Sequence, residues 1–245
     1  MKTVLITGCS SGFGLETARH FLANGWKVIA TMRTPKADVL PASPHLSVLP
    51  LDVTNAQSIR DVVAAAGPID VLVNNAGIGY LGALEGMSMD AARDVFETNT
   101  FGTMAMSQAF VPQFRERRDG VIINVTSTVT LRSLPLLAVY TASKAAVNAF
   151  TECLALELNA FDVRATLVLP GRAPDTRFGD NARPRMPEFP EPYTELVQGI
   201  FAEWAKPSDI TESRDVAEAV WRAATDPSTP MRLPAGKDAV AWANA

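Results

Sequence analysis

Val4-Leu5-Ile6-Thr7-Gly8-Cys9-Ser10-Ser11-Gly12-Phe13-Gly14 decides how the rest of this chain is read. Three apolar residues ended by Thr-Gly predict a short strand buried on both faces. Residues 12–23 have helical character, with Phe13, Thr17, His20 and Phe21 on one side and Asn24-Gly25 as a stop. Between the two lies a glycine-rich turn. Glycines let the chain bend tightly and let backbone N–H groups approach a phosphate at the helix N-terminus. The spacing is G-x-x-x-G-x-G, not the G-x-G-x-x-G of the common dinucleotide fingerprint.

The same alternation continues outward. Strand-like runs fall at 26–31, 46–49, 69–73, 121–125, 163–169 and 231–233. Helical patterns fall at 55–66, 88–117, 138–160, 193–205 and 213–225. Thr54 is the expected N-cap of the 55–66 helix, and Gly67-Pro68 closes it. Strands alternating with helices predict an α/β fold, with a mostly parallel sheet of about seven strands and helices on both faces. No repeat or Gly/Ser linker divides residues 1–245, so one domain is expected. Pro170, Pro174, Pro184, Pro187, Pro190 and Pro192 crowd the stretch 170–194, which excludes a long regular helix or a central strand there. That stretch reads either as a surface excursion or as a substrate loop or lid over a site, at about 171–205.

Composition removes several functions. Lys+Arg 22 against Asp+Glu 26 leaves a net charge of −4. No broad positive field for nucleic acid is expected. Cys9 and Cys153 cannot build a disulfide framework, and free thiols suit a reducing cytoplasm. With His20 and His45 as the two histidines, neither near a cysteine, no zinc site is expected. No apolar run reaches the ~18–20 residues of a membrane span. The N-terminal apolar stretch is too short for the roughly 7–15-residue core of a signal peptide.

Further motifs follow the glycine turn in order: Leu51-Asp52-Val53, Asn74-Asn75-Ala76-Gly77, Asn99 in Asn99-Thr100-Phe101-Gly102, Ser127, Tyr140-Thr141-Ala142-Ser143-Lys144 and Pro170-Gly171. Together they resemble the short-chain dehydrogenases/reductases, in the shorter single-domain branch, over most of residues 3–175. The resemblance implies a three-layer, doubly wound Rossmann-type fold and an NAD(P)-dependent enzyme. It assigns Asn99, Ser127, Tyr140 and Lys144 to catalysis. It assigns Gly8, Ser10, Ser11, Gly12, Phe13, Gly14, Asp52, Val53, Asn75, Ala76, Gly77, Tyr140, Lys144, Pro170 and Gly171 to the cofactor. It also implies a water held by Asn99 and linked to Lys144 in a proton relay.

The residues themselves support such chemistry. Tyr140 and Lys144 are four apart in a helical segment, which leaves them about 40° apart on one face. An isolated Tyr titrates near 10, and a nearby ammonium is expected to lower that value towards the working pH. The expected reaction is hydride transfer between a nicotinamide C4 and a carbonyl carbon, with Tyr140 donating or accepting the proton. Ser127 follows the fifth strand, at the sheet end where ligands bind. Thr126 and Thr128 are competing hydroxyls, and the family register alone selects Ser127.

For the cofactor, Met32 stands where an NAD-selective site places an acid, and Arg33 follows it. Arg33 can pair with a 2′-phosphate, with Ser10 and Ser11 adding hydroxyls, so NADP(H) is expected over NAD(H). That portion of the sequence resembles hydroxysteroid and retinol dehydrogenase relatives. The flanks of the expected pocket, Ile78 to Leu81, Leu131 to Leu137, Phe178, Phe189 and Tyr193, are mainly apolar, which suits a small apolar ketone or alcohol. They read equally as core or subunit contact. Arg172 and Asp175 bring charge to a turn that is milder in the family, and Thr176 comes one place later than the simplest alignment. Cys9 is a packing residue or an oxidisable thiol. A homodimer or homotetramer is expected through the 138–160 and 91–117 helices, with Phe150 and Leu154 as candidate contacts. The other function classes are a non-catalytic NADP(H)-sensing or interaction protein on the same scaffold and, more weakly, a nucleotide-sugar epimerase.

Overall fold

The computed structural model describes residues 1–245 except Ala37, Pro187 and the side chain of Pro184. Pro187 and the Pro184 ring, both part of the proline cluster, therefore lie outside the described residues. Seven parallel strands form one sheet: β1 (Thr3–Ile6), β2 (Lys27–Met32), β3 (Leu46–Pro50), β4 (Val71–Asn74), β5 (Gly120–Val125), β6 (Val163–Pro170) and β7 (Arg232–Ala235), in the order β3-β2-β1-β4-β5-β6-β7. This is the expected doubly wound, Rossmann-type fold.

The strands are apolar throughout because both faces are covered. Along β1, Val4 and Ile6 face one layer and Leu5 the other. Val28, Val71, Val73 and Ile123 join the first layer, and Ile29, Leu72 and Ile122 the second, as period-two alternation requires. The first layer is closed by α1 (Gly12–Ala23) and, late in the chain, by α8 (Ser213–Thr225), which pack on each other. Phe21, Trp26 and Trp221 meet there edge to face, with ring centroids 5.0–5.7 Å apart. Trp26 thus leaves the predicted strand to fill this corner. The second layer is α2 (Ala56–Ala66), α4 (Gly102–Arg117) and α5 (Ala138–Asn159), through Ile59, Val62, Phe110, Phe114, Leu154 and Leu158.

Several expectations change. The N-cap of α2 is Asn55, whose Oδ1 accepts the Gln57 and Ser58 N–H groups, and not Thr54. Thr54 instead donates through its hydroxyl to Asp52. The expected 88–117 helix is two helices, α3 (Met89–Phe96) and α4, joined through a wide π turn at Glu97–Phe101. The 171–205 stretch is not a bare loop. The helix expected at 193–205 is α7 (Thr194–Trp204), while the short α6 (Phe178–Ala182) before it and α9 (Lys237–Ala243) after β7 are additional to those expected from the sequence. Leu154 is buried, and Phe150 is half-buried against the same core. The exposed large apolar residues nearby are Leu84, Met89, Phe101 and Leu156. Among the described residues, no helix is long and apolar enough to cross a membrane.

Candidate active site

The chain runs β1, β2, β3 in one direction and returns to place β4 on the other side of β1. A crevice opens at such a reversal, outside the carboxyl ends of β1 and β4. The glycine turn and Asn74–Gly77 both end there. Asn75 ties them together: its Nδ2 donates to Thr7 O at 2.9 Å and Gly8 O at 3.3 Å. Thr7 Oγ1 accepts the backbone N–H of Asn75 and of Ala76, each at 2.9 Å. Gly8 and Gly12 have φ of +76° and +56°, where side chains are rarely found. A Cβ on Gly14 would lie 2.4 Å from Gly8 O and 2.5 Å from Asn75 Nδ2. The turn is therefore packed as tightly as a backbone can be, with Ser10 exposed at its tip and Ser11 partly exposed at the start of α1.

Two of the residues assigned by resemblance have their side chains taken up by packing. Phe13 packs its ring into the first layer of the core. Val53 is buried against Gly102, where a Cβ would come within 2.7 Å of its Cγ2. Asp52 shapes the turn before α2, its Oδ1 accepting from the Thr54 N–H at 3.0 Å and hydroxyl at 2.7 Å. At the end of β2 the alternation sends Met32 into the core and leaves Arg33 exposed, with no ion pair among the described residues. Cys9 is fully buried, its thiol donating to Ile6 O, and burial pushes its pKa up to about 12. It is a packing residue and unreactive.

The second half of the site comes from β5 and α5. Tyr140 and Lys144 lie one turn apart on α5, both buried. Lys144 Nζ donates to Val125 O at 3.1 Å. Of the three neighbouring hydroxyls, Ser127 is the one close enough to the Tyr140 phenol to favour its ionisation, and its Oγ accepts the Val129 N–H at 3.3 Å, whereas Thr126 Oγ1 is buried without a partner. The expected fall in the Tyr140 pKa does not occur. Burial raises it well above the usual tyrosine value, with the nearby Ser127 hydroxyl opposing. Burial likewise lowers the Lys144 pKa from 10.5 to about 8. Desolvation disfavours both charged forms and outweighs the mutual attraction that spacing alone suggested.

Asn99 enters from the π turn. Its Oδ1 accepts Ile78 N–H at 2.8 Å, and its Nδ2 donates to Ile78 O at 3.0 Å and to Ser143 Oγ at 3.1 Å. Ser143 in turn donates to Tyr140 O at 2.7 Å. Asn99 therefore fixes the strand-end segment after Gly77 against the helix that carries Tyr140. Its amide hydrogens are both used, which leaves one Oδ1 lone pair for a relay. A Cβ on Gly77 would sit 3.2 Å from that oxygen and 3.4 Å from Lys144 Nζ, so Gly77 keeps the space between them open.

Residues 2–186 match the family described as short chain dehydrogenase. The chain belongs to the short-chain dehydrogenase/reductase family. It is 41% identical over 181 residues to human retinol dehydrogenase 8, covering 69% of this chain and 58% of that one. It is 39% identical over 184 residues to 3-ketodihydrosphingosine reductase of Bacteroides thetaiotaomicron, covering 74% and 66% respectively. The chain thus spans well under the full length of these curated relatives. Among solved structures, a short-chain dehydrogenase from Streptomyces avermitilis superposes with a TM-score of 0.85 at 33% identity, covering 99% of this chain and 90% of that one. Serine dehydrogenase complexed with NADP+ superposes at 0.83 and 29% identity, covering 96% and 95%.

Where this short-chain dehydrogenase departs from the family pattern, after Pro170-Gly171, the structure supplies partners that the sequence did not reveal. Gly171 N–H donates to Thr211 Oγ1 at 2.9 Å, and Arg172 N–H to Asp238 Oδ2 at 2.6 Å. Thr211 Oγ1 itself lies 2.6 Å from Asp238 Oδ1 and 2.8 Å from Ala235 O, so its proton has an acceptor either way. A side chain on residue 171 would collide with the Asp238 carboxylate at 2.1 Å. The Arg172 guanidinium donates to Trp204 O and Ser208 Oγ, and Asp175 accepts from Ser213 N–H and hydroxyl. The two charges flagged in the sequence thus close the 171–212 excursion at its base. Thr176 reaches back to the glycine turn, within 3.4 Å of a Cβ on Gly12. Asp238→Ala strips the turn of its acceptor, and unfolding in urea is expected to show a loss of about 1–3 kcal/mol. A midpoint equal to wild type means the latch carries no weight.

Proposed function

We propose that this chain is an NADP(H)-dependent oxidoreductase that interconverts a carbonyl with a secondary or primary alcohol, with Tyr140 as general acid/base. The observation that carries this reading is the convergence of Tyr140, Ser127 and Lys144 beside Gly77, at the mouth of the same crevice as the glycine turn. The glycines at 8, 12 and 14 leave backbone N–H groups bare at the start of α1, which fits a dinucleotide phosphate. Gly8 to Gly14, Asn75 to Gly77 and Pro170-Gly171 would hold the dinucleotide, with Asp52 and Val53 at its adenine end. Arg33, with Ser10 and Ser11, would pair with a 2′-phosphate, and the buried Met32 leaves no acid to repel it. The bound nicotinamide supplies the hydride.

The protein's own residues handle the proton. With its pKa raised by burial, Tyr140 keeps its proton at neutral pH and is poised to donate it to a substrate oxygen. Ser127 hydrogen-bonds the same oxygen and the phenol. Lys144, protonated below about pH 8, places a buried positive charge next to the phenolate that remains. In oxidation the roles reverse. We read residues 171–205 as the substrate lid of this one unit. Self-association through the 138–160 and 91–117 helices, where Leu156 and Phe101 are exposed, is the corresponding reading for assembly, and light scattering that finds only a ~26 kDa species at micromolar concentration contradicts it. The unpaired Cys9 and Cys153 fit a reducing cytoplasm. The test of the function is a panel of ketones and alcohols with both nicotinamide cofactors, followed at the NADPH absorbance band. Turnover with NADPH is expected, and no turnover with any carbonyl compound contradicts the reading.

The Lys144 pKa carries a stability consequence. The folded state binds its proton more weakly than the unfolded state, so between about pH 8 and 10.5 the unfolded chain holds more protons and stability rises with pH. The burial penalty is fully present below pH 8. Relative to Lys144→Met, wild type is expected to gain about 2 kcal/mol on going from pH 8 to 9.5, at about 1.4 kcal/mol per pH unit. Urea unfolding of both proteins at the two pH values measures this, and a gap that stays constant contradicts the lowered pKa.

A further inference from the structure

The apolar residues that flank the crevice fall into two groups. Leu81, Leu136 and Val197 are buried together, with Leu137, Phe189 and Tyr193 packed on them. This small cluster anchors the 171–205 segment to the body of the protein. Phe178 is absent from it. Its ring lies 5.7 Å from that of Tyr140, tilted by 58°, and 40% of the residue is accessible.

The same ring also rests on Gly79. A Cβ on Gly79 would come within 2.7 Å of Phe178 Cε1 and 2.8 Å of Cζ. The seat therefore exists because residue 79 has no side chain, and Gly79 is itself placed by the Asn99 bonds to Ile78. The backbone of Phe178 is also held. Its N–H donates to Thr176 Oγ1 at 3.3 Å, and that hydroxyl donates to Ala173 O at 2.9 Å. An aromatic ring is thus fixed against the phenol that we assign to proton transfer, with part of its surface open.

We infer that Phe178 is a specificity-determining residue, the stacking wall for an aromatic or similarly flat apolar group attached to the substrate carbonyl. This inference rests on the carbonyl reductase reading above. A carbonyl oxygen within hydrogen-bond reach of Tyr140 and Ser127 brings its substituent alongside this ring. Aromatic rings attract one another in offset or tilted arrangements at about 4.5–7 Å. A short alkyl substituent gains much less from the same wall.

The test compares an aryl ketone and a short dialkyl ketone from the NADPH panel in wild type, Phe178→Ala, Phe178→Tyr and Gly79→Ala. The readout is the ratio of kcat/KM for the aryl ketone to that for the alkyl ketone. Phe178→Ala is expected to lower the ratio about tenfold, the scale of one aromatic contact. Phe178→Tyr should keep it within about twofold, since the ring remains. Gly79→Ala should lower it as Phe178→Ala does, because the new methyl group displaces the ring. An unchanged ratio in Phe178→Ala overturns the inference, and so does a raised ratio, which would make Phe178 an obstacle instead of a wall. A wild type that reduces alkyl but not aryl ketones overturns it too. A wild type that reduces no carbonyl at all brings down the function itself, an outcome separate from the others.

Discussion

Tyr140→Phe is expected to reduce carbonyl turnover by roughly 10²–10⁴-fold, the scale of a lost general acid–base group. The substitution removes one hydroxyl from a buried ring and leaves the volume almost unchanged. The tilted ring contact with Phe178 and the Ser143 bond to the Tyr140 carbonyl do not involve that hydroxyl, so the helix should keep its place. Fluorescence titration is therefore expected to show NADPH binding close to wild type, with the loss confined to kcat. Ser127→Ala should act in the same direction, because Ser127 is the hydroxyl close enough to the phenol to favour its ionisation, while Thr126 Oγ1 is buried without a partner. Near-normal turnover in Tyr140→Phe removes Tyr140 from the chemistry.

Arg33→Asp has the second largest expected effect, on cofactor choice. Arg33 is exposed at the end of β2 and has no ion pair among the described residues, so the change should cost little stability. It replaces a 2′-phosphate partner with a repelling charge and supplies an acceptor for a ribose hydroxyl. The NADPH to NADH ratio of kcat/KM should fall by about 10²-fold or more, since a lost charge-assisted contact and a new like-charge contact add. Equal changes in both Michaelis constants leave the NADP(H) preference without its main support.

The sheet was readable because parallel strands buried on both faces are nearly continuous apolar runs, as in Val4-Leu5-Ile6 and Val121 to Val125. The pairing of Tyr140 with Lys144 was readable from helical spacing, and the glycine turn from its place between strand and helix. The titration of that pair was not, because it depends on how completely each group is buried, and spacing carries no burial. The Thr211 and Asp238 latch was hidden for a different reason. Its partners lie 40 and 66 residues from the turn they hold, and neither belongs to a recognisable local pattern. Asn99 was located by its motif, but the π turn that aims it at Ile78 has no sequence signal of its own. In the lid, Phe178, Phe189 and Tyr193 looked alike in sequence. Packing separates them, since two serve the anchoring cluster and one faces Tyr140.

Direct hydride transfer to a carbonyl carbon, with the proton from Tyr140, is the claim on which the rest depends. It is tested most directly by incubating the protein with a turned-over ketone and NADPH labelled with deuterium on either face of C4, then weighing the alcohol by mass spectrometry. One of the two labelled forms is expected to deliver a single deuterium to the carbinol carbon. Alcohol that carries no deuterium from either form contradicts direct transfer.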